Sequence, residues 1–349
     1  MKTFSCACGA PLFFDNTWCL NCNSPVGYDA VGNHMLRLTD ATSQLCANGK
    51  NHGVCNWVIP NHNIGLCMAC QLNRTIPDLS LAENLPLWRK MENAKRRTIY
   101  WLLRRGLPVQ SKVVAPETGL AVDFLLPQNG QPFLTGHDHG VLTFNLLEAD
   151  DSHREGNRNK LGEPYRTLLG HFRHEIAHYY WWLWFDKGGA PATWIRAVRE
   201  VFGDDRRDYV TALQTHYQNG PPAGWNGGYI SAYATTHPWE DWAETWAHYT
   251  HITDALETAK STQLLCQSKG TPWRLRPQDV QLPAPFEKET GRNFLEIIYN
   301  WMAMAPALNE MSLSLGHADL YPFSPTPAVV RKMHLIHAMV GSQLVRPNK

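Results

Sequence analysis

The spacing of apolar residues changes along the chain. Around Trp88 to Arg105 a helical stripe of Leu87, Met91, Ala94, Ile99, Leu102 and Leu103 looks core-facing, and Arg89, Lys90, Lys95, Arg96, Arg97, Arg104 and Arg105 leave a solvated cationic face. Extended runs follow at 119–127 and 140–147. In the second, Val141-Leu142-Thr143-Phe144-Asn145, opened by Gly140, reads as a strand rich in β-branched and aromatic residues. From Glu163 the period is mostly helical. Leu168, Leu169, Phe172, Ile176 and Tyr180 mark one helix, with Pro164 in its first turn and Gly188-Gly189 as its stop. Two helices are expected between Pro191 and Tyr217, a turn-rich stretch over 219–228, and helices near 237–260, 289–304 and 325–340. A few strands and then helices predict an α+β fold.

The first 75 residues obey neither period. Eight of the nine cysteines fall between Cys6 and Cys70, with only Cys266 outside. They sort into Cys6, Cys8, Cys19 and Cys22, and into Cys46, Cys55, Cys67 and Cys70. Short spacers let consecutive thiolates turn around one ion, so each quartet can close a tetrahedral Cys₄ zinc site with no open position. Two structural zincs are therefore expected, as staples for a short, loop-rich segment. His34, His52 and His62 lie in the same stretch, either as exposed loop residues or with one replacing a cysteine.

Composition narrows the function. A chain of 349 residues, 44% hydrophobic, can bury a sizeable core. With 18% charged residues and a net charge of +1 it has no global basic field for nucleic acid or an acidic membrane surface. No run approaches the roughly 18 apolar residues of a membrane-spanning helix, and Met1 to Pro11 carries cysteines where a signal peptide is apolar. A cytoplasmic location is expected, where thiols stay reduced and clustered cysteines hold metal.

The densest chemistry is His174-Glu175-Ile176-Ala177-His178. On a helix the i and i+4 imidazoles project from one face and can ligate one Zn²⁺, with Glu175 offset toward a metal-bound water. A catalytic zinc needs a third protein ligand and keeps one position for water. The best candidate segment runs from Tyr233 to His248. Pro238 suits a first helical turn and places Glu240 and Glu244 one turn apart on one face. One can bind the metal, and the other can accept the outer N–H of a ligand histidine. Ala243 and Ala247 permit close approach to the motif helix, and Trp239, Trp242 and Trp246 imply burial.

These residues resemble the glutamate zincins, in which the two-histidine helix is followed by a second helix reading Glu-x-x-Ala. Both Glu240 and Glu244 fit that pattern. The string is also similar to the catalytic domain of anthrax lethal factor, whose ligand glutamate is followed by Ala and Glu and preceded by a tyrosine seven positions upstream. The matching positions are Glu240, Ala243, Glu244 and Tyr233. This resemblance implies Glu240 as ligand, Glu244 as partner of a ligand histidine, and Tyr233 as hydrogen-bond donor to the developing oxyanion. Nearly end to end, the chain resembles a bacterial family of zinc-ribbon metallopeptidases, through Glu163-Pro164-Tyr165-Arg166-Thr167-Leu168-Leu169-Gly170-His171-Phe172-Arg173-His174-Glu175 and Glu240-Asp241-Trp242-Ala243-Glu244. The expected organisation is a zinc-ribbon module over 1–75, a basic linker helix over 76–110 and a zincin-like catalytic domain over 111–349.

The expected activity is zinc-dependent hydrolysis of a peptide bond, with His174, His178 and Glu240 around the catalytic zinc and Glu175 as general base. Mn²⁺ or Co²⁺ can occupy similar sites. The partner is then a peptide or protein substrate, held by edge pairing to the 141–145 strand. The rival from another class is an inactive zincin-like protein whose ribbon, with the basic helix and its Trp88, Tyr100 and Trp101, binds nucleic acid or a protein. His171 and Asp241 are lesser candidates for metal contact. His137-Asp138-His139 reads as a polar turn, and His248 and His251 either line the cleft or cover a helix face.

Overall fold

A computed structural model describes residues 1–39, 43–60, 65–127, 135–161, 166–264, 275–289 and 291–343. Cys266, His62 and the stretch Glu163-Pro164-Tyr165 lie outside the described residues. The chain divides into two compact units, Met1–Arg104 with Pro108–Phe172 and Glu257–Gln263, and Arg105–Leu107 with Arg173–Leu256 and Leu264–Lys349.

The first unit opens with short antiparallel ladders. β1 (Phe4–Ser5) pairs with β2 (Pro11–Leu12), and β3 (Trp18–Cys19), β4 (Ser24–Asp29) and β5 (His34–Arg37) form a meander. β6 (Ser43–Leu45) and β7 (Val58–Pro60) pair around α1 (Ala47–His52). Gly49 on α1 lets the helix lie against the Cys55 carbonyl, where a Cβ would collide. Two-residue strands bury little on their own. What fixes them is an aromatic cluster, with Tyr28 5.0 Å from Phe14 and 5.2 Å from Trp57, and Phe14 5.1 Å from Tyr100.

Tyr100 belongs to α2 (Asn84–Arg104), which is covered more completely than its sequence suggests. Lys95 and Arg96 are buried, not solvated. Lys95 pairs with buried Glu92 at 2.8 Å, and Arg96 donates to the Val54 carbonyl. A buried charge persists only when paired in this way. Trp88, Tyr100 and Trp101 are buried too and present no stacking face to a nucleic acid base.

The same unit holds a four-stranded sheet in the order β10-β11-β9-β8, formed by β8 (Asn73–Thr75), β9 (Ala121–Leu125), β10 (Gly136–Asp138) and β11 (Val141–Asn145). β11 runs parallel to β9 and antiparallel to β10. The 141–145 strand is therefore interior, and its backbone over Val141–Thr143 is paired on both sides, which removes the expected docking edge. His137 and Asp138 lie on β10, and the turn is made at His139 and Gly140, both at positive φ. α3 (Asp151–Leu161) follows, and Phe172 stacks on Phe144 at 3.9 Å.

The second unit is helical. α4 (Leu168–Trp181) carries the two-histidine motif and ends in a π turn over Trp182–Asp186 ahead of Gly188-Gly189. α5 (Ala192–Phe202) and α6 (Tyr209–Asn219) follow, then α7 (Pro238–Ser261), α8 (Arg292–Ser314) and α9 (Pro327–Gln343). α8 continues through Pro306, ten residues beyond the boundary expected at Met304. Within this unit the core is aromatic: Trp246 stacks on Tyr180 at 5.3 Å, and Trp184 lies 5.8 Å from Trp246 and 5.7 Å from Trp194.

Candidate functional site

α4 and α7 are held together by both packing and polar bonds. Ala177, Ala243 and Ala247 are buried, and the small side chains let the indole N–H of Trp242 reach the Ala177 carbonyl at 3.0 Å. One residue before the motif, buried Arg173 donates to Asp254 and to His251 Nδ1 at 2.6 Å, both on α7. These ties fix which faces of the two helices meet.

At that meeting His174, His178 and Glu240 bring one ligand atom each together. His174 Nε2 lies 3.1 Å from His178 Nε2 and 3.0 Å from Glu240 Oε2, and His178 Nε2 is 3.5 Å from the same oxygen. Three ligands at about 2.0–2.1 Å from one zinc in tetrahedral array are separated by about 3.3–3.4 Å, so the observed triangle is of the size a zinc ion requires. The donor set fits for a second reason: Glu240 Oε2 is buried with no hydrogen-bond donor, facing two imidazole nitrogens.

Glu244, one turn further, accepts from His174 Nδ1 at 2.7 Å, which directs the Nε2 lone pair of the neutral ring into the triangle. Burial works against the Glu244 carboxylate, but the bond and charge of His174 hold it down to about 2. Glu175 is buried, its Oε2 has no hydrogen-bond partner, and burial raises its pKa against the pull of the two imidazoles. Its proton affinity is thus set above that of an exposed carboxylate.

The Tyr233 ring stands 6.1 Å from that of His174. A residue the sequence reading passed over completes the surroundings: the Tyr209 hydroxyl donates to Glu240 Oε1 at 2.8 Å. It lies on α6, 31 residues before Glu240, and no motif marks it.

The lesser candidates fall elsewhere. Asp241 is buried in an ion pair with Lys332 at 2.6 Å, turned about 100° round α7 from Glu240. His171 lies 3.7 Å from Glu148. His248 is buried and bonded to Tyr321 at 2.8 Å, and half-buried His251 is bonded to Arg173 at 2.6 Å.

Both cysteine quartets assemble as their spacing predicts. Cys6–Cys22, Cys8–Cys19 and Cys55–Cys67 have Sγ–Sγ distances of 3.7 Å. That is the edge of a tetrahedron with about 2.3 Å zinc–sulfur bonds, and far beyond a disulfide of about 2.05 Å. His34 stays exposed beside Asp29, and His52 packs 5.7 Å from Trp88, so neither replaces a cysteine.

The fold and these three groups define a zinc-binding α+β protein with an N-terminal ribbon. The chain belongs to the family described as "Putative zinc-binding metallo-peptidase", whose profile matches residues 84–339, and a zinc-ribbon domain profile matches residues 3–81. Uncharacterized proteins of Mycobacterium bovis and Mycobacterium tuberculosis are 40% identical over 344 residues, covering 97% of this chain and 95% of theirs. No solved structure matches. No helix among the described residues is long and apolar enough to cross a membrane.

Proposed function

We propose that this protein hydrolyses peptide bonds with a zinc ion held by His174, His178 and Glu240, in the manner of the glutamate zincins. The observation that carries the reading is the triangle of two imidazole nitrogens and one carboxylate oxygen, 3.0–3.5 Å on a side, beside a buried carboxylate without a hydrogen-bond partner on one oxygen. Zinc there supplies Lewis acidity, which lowers the pKa of water from about 15.7 toward about 7 and polarises a carbonyl. Glu175 takes the proton of the attacking water and returns it to the leaving amine, a task suited to a carboxyl whose pKa burial has raised. Glu244 orients His174, and Tyr233 donates to the carbonyl oxygen as it gains charge.

The ribbon zincs, with all their positions filled by thiolate, serve structure. Eight thiols grouped at metal-binding rather than disulfide distance suit a reducing, cytoplasmic setting. The test is metal content. Wild-type protein is expected to hold three zinc equivalents, Glu240→Ala two, and Glu175→Gln three. Retention of the third zinc in Glu240→Ala, with its loss in Glu244→Ala, would exchange the roles of the two glutamates.

A further inference from the structure

We propose that Tyr209 is a positioning residue of the metal centre: its hydroxyl holds Oε1 of Glu240, so that the carboxylate offers one oxygen to the metal. The inference rests on the reading of Glu240 as a ligand and adds a residue from a third helix.

The geometry is specific. Glu240 turns Oε2 toward His174 and His178, at 3.0 and 3.5 Å, and Oε1 toward Tyr209, at 2.8 Å. A carboxylate only accepts, so Tyr209 is the donor in this bond. A buried ligand carboxylate with nothing on its second oxygen can rotate and bind through both, filling the position a substrate needs. A donor on that oxygen opposes the rotation.

Core packing does not explain the contact. α6 has no buried residue, and Tyr209 itself is half-buried. Its ring touches His237 and Trp239, with centroids 5.5 and 5.4 Å away, contacts that a phenylalanine keeps. Only the hydroxyl points at Glu240, and deleting it isolates that one bond.

The experiment compares wild-type protein, Tyr209→Phe and protein carrying 3-fluorotyrosine at position 209, all full-length, by chelator competition for zinc. Tyr209→Phe is expected to keep both Cys₄ zincs and to bind the third about 10–100-fold more weakly, the usual cost of losing a partner of a metal ligand. The fluorinated residue retains the hydroxyl and is expected to stay within about threefold of wild type, with kcat following metal occupancy in the same order. Equal affinity in Tyr209→Phe and wild type overturns the proposal, and equal weakening by both replacements overturns it in favour of a packing effect. Glu240→Ala separates the two levels. If that variant keeps the third zinc, the ligand reading fails; if it loses the zinc while Tyr209→Phe binds normally, only the role of Tyr209 fails.

Discussion

At the scale of single residues, the site is governed by which oxygen or nitrogen each side chain has left to offer. His174 gives Nδ1 to Glu244 at 2.7 Å and is left with Nε2 for a metal. Glu244→Ala should therefore keep the third zinc while weakening it by about 10–100-fold, measured by chelator competition. The sequence disclosed the pairing of His174 with His178 because helix periodicity is local: i and i+4 imidazoles share a face whatever surrounds them. It could not choose between Glu240 and Glu244 by spacing, since both lie on one face of α7, and the choice came from resemblance. Tyr209 and Lys332 were illegible for the opposite reason. Each reaches α7 from a distant element, Tyr209 to Glu240 and Lys332 to Asp241, and pairings of that kind leave no periodic trace.

At the scale of elements, α4 and α7 carry the candidate site, and Arg173 is one of the polar ties between them. With Arg173 buried and its guanidinium shared by His251 and Asp254, Arg173→Ala breaks a buried ion pair and removes a donor from His251. The expected loss is about 3–5 kcal/mol of unfolding free energy, read from denaturant titration of the zinc-loaded protein. The two cysteine quartets differ in cover. Cys8 is exposed and Cys22 half-buried, whereas Cys46, Cys55, Cys67 and Cys70 are all buried. Chelator should strip zinc from the first quartet before the second, giving two-phase release in which Cys8→Ser removes the fast phase and Cys55→Ser the slow one. Helices were legible where an apolar stripe was clean, as in α5, whose buried face is Trp194, Ala197, Val198 and Phe202. The cationic side of α2 misled because Lys95 and Arg96 resemble solvated charge until their partners, Glu92 and the Val54 carbonyl, are in place.

At the scale of the whole molecule, the α+β character was readable from the order of short extended runs and long helical ones. The strand order was not, because which strands pair is decided by non-local contacts, and 141–145 proved interior rather than an edge. Burial also sets a pH limit. His248 is enclosed, and burial holds its pKa down to about 4 against 6.5 for a free histidine; His337 is held down to about 4 for the same reason, and burial lowers His251 as well. Between those values the unfolded chain binds the proton and the folded one does not. The stabilisation is therefore complete above pH 6.5 and lost as pH falls toward 4, by about 3 kcal/mol for His248 alone. Unfolding free energies measured from pH 7 to pH 4 should fall less steeply in His248→Gln than in wild type, and identical slopes would remove His248 from the explanation.

The central claim is that the His174, His178 and Glu240 group cuts peptide bonds with Glu175 as the base, and peptide-library cleavage by zinc-loaded wild type and Glu175→Gln tests it most directly. The account predicts cleavage by the wild type and a fall of at least about 100-fold in the variant, with its three zincs retained. Cleavage at the wild-type rate by Glu175→Gln, or no cleavage by fully zinc-loaded wild type, would contradict it.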